Sequence, residues 1–172
     1  MANNYEEVTV TPSIPKALVT PLEIALLQGF GFHCEDDTVE GAPALYFYTE
    51  DSGTSDDFSG DLPPLSLATE TDNPELVRLL ETFYAGHGIP QDCGEEEAFY
   101  DDLPVGWQSL LQTVVKRMQA QSPTPVALCV EAAFHCSRTR PGEFGGWVSV
   151  ISADNIQTGS TKSLMNSFLK NL

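Results

Sequence analysis

Apolar residues recur along this chain with two different periods, and those periods divide it into helices and strands. Trp107, Leu110, Leu111, Val114 and Met118 share one stripe of a 3.6-residue period. The stripe predicts a helix from near residue 104, with Lys116 and Arg117 close to its end, where cations suit the helix dipole. Another helix opens at Asn73-Pro74, carries Leu76, Leu79, Leu80 and Phe83 at i, i+3, i+4 and i+7, and closes at Gly86 and Gly88. Near residue 20 the boundary is written in side-chain chemistry. Thr20 and Glu23 have capping-box spacing, Pro21 takes the first helical position and Val19 can staple to Ile24, so a helix is expected over 21–28 with Gly29 ending it. A last amphipathic helix is expected over 160–172, with Leu164, Phe168 and Leu172 spaced by four and Met165 beside them.

The two-residue period is strongest over 126–136. Val126, Leu128, Val130, Ala132, Phe134 and Cys136 alternate onto one face, opposite Ala127, Cys129, Glu131, Ala133 and His135. After a turn over 138–145, residues 147–151 should return as the antiparallel partner. Residues 30–34 and 44–49 form a second pair of strands, joined by a polar turn over 35–41, and 65–69 adds a short strand. The order is helix, two strands, a short third, two helices, two long strands, helix. It points to an α+β fold: an antiparallel sheet of about four to five strands with about three to four helices packed on it. The 172 residues are expected to form a single domain whose core includes Leu80, Trp107, Leu111, Leu128, Val130 and Phe134.

Two stretches carry neither period. Residues 50–62 are rich in Ser, Gly and Asp, and residues 89–103 are acidic and irregular, so both read as surface loops. They also hold much of the charge. The chain has 25 acidic and 8 basic side chains, a net −17, but the distribution is uneven: residues 1–102 carry 22 acids against Lys16 and Arg78, for −20, whereas 103–172 carry three acids against six bases, for +3.

Such acidity argues against direct binding of nucleic acid or anionic lipid, whose phosphates need Lys and Arg. No apolar run approaches the length of a membrane span, and the N-terminus has neither a basic nor an apolar leader region, so a cytoplasmic location away from membranes is expected. Cys34, Cys93, Cys129 and Cys136 are accordingly expected as reduced thiols. His33-Cys34 and His135-Cys136 fall on strands, where neighbouring side chains point to opposite faces. Even with His87 and Cys93 added there is no C-x2-C or H-x3-H spacing, so neither metal nor cofactor is expected. Hydrolase-elbow, P-loop and dinucleotide fingerprints are missing, and Cys93 sits among carboxylates that disfavour a thiolate nucleophile.

The acidic segments then admit three readings: a solvated surface, a calcium loop that lacks the EF-hand order, or a docking surface. In the third, Asp51, Asp56, Asp57, Asp61, Glu95, Glu96, Glu97, Asp101 and Asp102 steer a basic protein partner, such as a nucleic-acid-binding protein, while Phe58, Phe99 and Tyr100 supply apolar contact. A non-catalytic interaction protein is the expectation. The alternative is a small enzyme or metal-dependent protein using His and Cys from the central strands.

Overall fold

The computed structural model describes residues 4–50, 53–54, 57–70, 73–136 and 145–170. In chain order the strands are β1 (Asn4–Thr11), β2 (Ile14–Pro15), β3 (His33–Val39), β4 (Ala42–Thr49), β5 (Phe58–Leu62), β6 (Glu95–Tyr100), β7 (Ala127–Cys136), β8 (Gly145–Ser152) and β9 (Ile156–Ser160). The α-helices are α1 (Pro21–Gly29), α2 (Pro74–His87), α3 (Trp107–Ala120) and α4 (Thr161–Leu169).

The fold is α+β, as the order of elements implied, but its main sheet has seven strands rather than four or five. All its pairings are antiparallel. β1 and β2 lie end to end along one side of β4 with β3 on the other, and beyond β1 come β7, β8 and β9. The strand absent from the sequence reading is thus a central one: β1 pairs with β7 from Asn4↔Cys136 to Thr11↔Cys129. Val8 and Val10 point inward and are buried, while Glu7 and Thr9 take the opposite face. β9 was also unread, and residues 65–69 form a 3-10 turn rather than a strand.

α1 begins as its residues predict. Thr20 Oγ1 accepts from the Glu23 N–H, and the Glu23 carboxylate accepts from the Thr20 N–H at 3.0 Å. That carboxylate is fully buried and also receives the Arg117 guanidinium from α3, an ion pair that ties the two helices together. In α2 the Asn73 side chain caps the Leu76 N–H at 3.1 Å, and Gly88 turns out at φ 71°, a left-handed conformation that glycine adopts without a Cβ penalty. α3 starts at Trp107, later than residue 104, and buries Trp107, Leu110, Leu111, Val114 and Val115.

α1 and α3 pack on the inner face of the main sheet. Beyond α1 lies a separate two-stranded ribbon, β5 with β6. One hydrophobic cluster runs through these layers from Val8 and Val10 through Leu26, Phe58 and Leu80 to Leu128, Val130 and Ile151. Phe134 departs from expectation. It is on the core face of β7 but only half-buried, outside that cluster and against Gly145, where an added Cβ would strike its ring. The turn over 138–144, the Phe168 side chain and Leu172 lie outside the described residues.

Candidate functional site

The two stretches read as acidic loops each contribute a strand, and the two strands pair with one another. β5 pairs with β6 through Phe58↔Tyr100, Ser59↔Phe99 and Gly60↔Ala98, and the register shifts between Gly60 and Leu62. Neither strand has much intrinsic β preference, so packing must supply it, β5 against α1 and Tyr100 of β6 against α2. Phe58 and Leu62 are buried, and the ribbon lies so close to α1 that a Cβ on Gly60 would strike Gly29 and one on Gly29 would strike the Phe58 ring. Phe58 meets Phe30 edge to face at 5.4 Å. Gly94, at φ 67°, lets the chain pass tight against the Leu62 carbonyl before β6 begins.

The inward face consumes two of the expected contact residues. Phe58 is fully buried, hence unavailable to a partner. Tyr100 is half-buried, with its ring edge-on to Phe83 and His87 and its hydroxyl donating to Glu95 Oε2 at 2.6 Å. That hydrogen bond to a carboxylate is the main reason the phenol is pushed up to about 12. Tyr84 of α2 fixes the other end by donating to the Pro63 carbonyl at 2.7 Å, and burial raises it to about 12 as well.

The outward face is different. Phe99 is 66% exposed, the most exposed large hydrophobic side chain among the described residues. Ser59 lies opposite it, and Asp57, Asp61, Glu97 and Asp101 flank it: Asp61 and Glu97 meet where the register shifts, and Asp57 and Asp101 sit just beyond the strand ends. All four of those acids are exposed, as are Glu95, Glu96 and Asp102. Local bonds shape the strip: Asp61 Oδ1 accepts from the Glu97 N–H at 3.0 Å, which supports Glu97 at its positive φ of 49°. Asp102 Oδ2 lies 3.3 Å from His87 Nε2. Asp51 and Asp56 lie outside the described residues.

A further acidic surface lies where a polar turn over 35–41 is expected. Those residues continue as β3, and only Glu40 and Gly41, at φ 52° and 83°, make the turn into β4. Glu35 and His33 consequently face the open side of the sheet beside Tyr46 and Tyr48, whose rings stack at 5.5 Å, with His33 on Tyr48 at 5.4 Å. Glu35 accepts from the Tyr48 hydroxyl at 2.8 Å and raises its pKa. Glu35, Tyr46 and Tyr48, together with Glu7, Thr9 and Glu50, line a cleft of about 450 Å³.

The His and Cys residues of the alternative reading are dispersed. His33 and His135 are exposed on β3 and β7, with β4 and β1 between them; His87 is committed to Phe83 and Asp102; Cys93 is exposed in the turn before β6. Cys34, Cys93 and Cys129 are free thiols. Among the described residues no group of three or more His, Cys, Asp or Glu side chains converges on a point able to hold a metal. Nor is any helix among them long and apolar enough to cross a membrane. Searches of protein families, curated proteins and solved structures found no match for this chain.

Proposed function

We propose that this protein is a non-catalytic interaction module whose β5–β6 ribbon docks a basic protein partner. The observation that carries the reading is Phe99: an aromatic ring 66% exposed, held on a paired strand in the midst of carboxylates. A protein that merely needed solubility has no use for that ring, which costs free energy in water. At an interface it is the kind of side chain that supplies most of the affinity. The carboxylates around it add on-rate and selectivity for cations, since their field acts before contact and weakens with salt. A cytoplasmic setting and a nucleic-acid-binding partner belong to the same proposal, supported by the chain's −17 charge.

Mapping amide shifts of the labelled protein against a Lys- and Arg-rich peptide carrying one Leu tests it. The expected result is a set of perturbations concentrated at residues 57–62 and 95–102. Perturbations spread equally over β3, or following carboxylate density alone, would falsify it.

A further inference from the structure

The main sheet has two lateral edges, and they are built oppositely. β3 carries Glu35, Asp36 and Asp37 in succession, with Glu40 in its turn, a density of like charge that discourages another strand from pairing there. β9, at the far edge, reads Ile-Gln-Thr-Gly-Ser and has neither a charge nor a proline. Among the described residues its only strand partner is β8, and Gln157 and Thr158 are exposed.

The apolar surface gathers at that unguarded edge. Of the six large hydrophobic side chains exposed among the described residues, five are Val148 and Val150 of β8 and Leu164, Met165 and Leu169 of α4; the sixth is Phe99. Val148 and Val150 face the open side of the sheet, one strand in from β9. α4 leaves the end of β9 directly and stands off from that face. It encloses with it a groove of about 600 Å³ lined by Val148, Gly159, Leu164 and Glu131, among others. The helix is amphipathic, yet its Leu164, Met165 and Leu169 are each more than half exposed.

We infer that this edge is a self-association surface: two copies pair β9 with β9 antiparallel about a two-fold axis, extending the sheet across both. With the axis normal to the sheet, the two α4 helices fall on the same face as both Val148–Val150 rows, where their apolar sides can pack over that face and against each other across the axis. Charge selects the occupant. Residues 145–172 hold Lys162 and Lys170 against Asp154, for +1, in a chain of −17. Two such chains repel over most of their surface and meet with least repulsion here. An uncharged edge strand is also self-complementary in its backbone groups, which is what an isologous contact requires.

Sedimentation velocity of the full chain, from about 10 µM to about 500 µM, brackets a dimer with a dissociation constant of about 100 µM. The mass should rise from 18.7 kDa toward twice that value with concentration. Backbone amides of β9 should exchange more slowly as the dimer fills. Val150→Lys with Leu169→Lys should weaken association by about tenfold or more, circular dichroism showing the fold retained. If the pair unfolds the chain, Gln157→Lys on the edge alone is the substitute, and it should act in the same direction. A mass fixed at one chain across the range overturns the inference. So does a dimer whose β9 exchange is unchanged by concentration, or one that survives Gln157→Lys undiminished. Phe99 and the ribbon acids take no part in any of these readouts, so failure of one proposal leaves the other standing.

Discussion

Among the described residues, the two places where large apolar side chains are exposed differ in what surrounds them. Phe99 stands alone on the outer face of the ribbon, flanked along the two strands by the exposed Asp57, Asp61, Glu97 and Asp101. At the β9 edge five such side chains lie together, with Lys162 and Lys170 against Asp154 as the only charges in residues 145–172. The driving force at both is the burial of apolar area, which is non-directional. Selectivity is not. A carboxylate surround rejects a second copy of a −17 chain and favours a cation, whereas a near-neutral surround beside an open strand tolerates the copy. Charge placement therefore says more about partners than net charge does.

The ribbon sharpens the point further, because its two faces carry one phenylalanine each. Phe58→Ala should have the largest effect on folding, a loss of about 3–5 kcal/mol in chemical denaturation, since it empties the contact between the ribbon and α1. A loss below about 1 kcal/mol would mean that the ribbon is not held by that side chain. Phe99→Ala, on the opposite face, should leave stability within about 0.5 kcal/mol while weakening a basic partner.

Between these extremes comes the pair beneath the ribbon layer. Arg117→Met leaves the Glu23 carboxylate buried without its guanidinium and should cost about 3 kcal/mol. The double variant Glu23→Gln, Arg117→Met should recover part of that loss, which a thermodynamic cycle would read directly.

Tyr84→Phe removes the bond to Pro63 and should cost about 1 kcal/mol near neutral pH. Its pH dependence has a defined sign. The folded phenol is raised to about 12. An unfolded tyrosine titrates near 10. The contribution is therefore fully present below about pH 10 and is lost as pH rises through about 12. Stability curves of the wild type and Tyr84→Phe should converge and then cross over that window; parallel curves would show that Tyr84 does not titrate with unfolding.

The elements with chemical signals at their boundaries were legible. Thr20 with Glu23, Asn73 with Gly88, and the long alternation of β7 all appear where their residues predict. β1, β5, β6 and β9 were not, because their strand character comes from neighbours. Val8 and Val10 are too short an alternation to stand out, and Glu95-Glu96-Glu97 is a poor strand sequence that pairs because Ala98 and Tyr100 face inward. For the site, the acids were legible as a cluster, and Phe99 as one of its aromatics. What could not be read was that Phe58 and Phe99 lie on opposite faces. Residue spacing fixes a face only once strand pairing is known.

The most direct test of the central claim is titration calorimetry of one Lys- and Arg-rich peptide bearing a single Leu against four proteins. These are the wild type, Phe99→Ala, a ribbon variant (Asp57→Asn, Asp61→Asn, Glu97→Gln, Asp101→Asn), and a β3 variant with as many charges removed (Glu35→Gln, Asp36→Asn, Asp37→Asn, Glu40→Gln). Near 0.15 M salt, where the Debye length is about 8 Å, the ribbon variant and Phe99→Ala should each lose about tenfold or more in affinity, and the β3 variant should stay close to wild type. Equal losses in the two charge variants, with Phe99→Ala unchanged, would contradict the account.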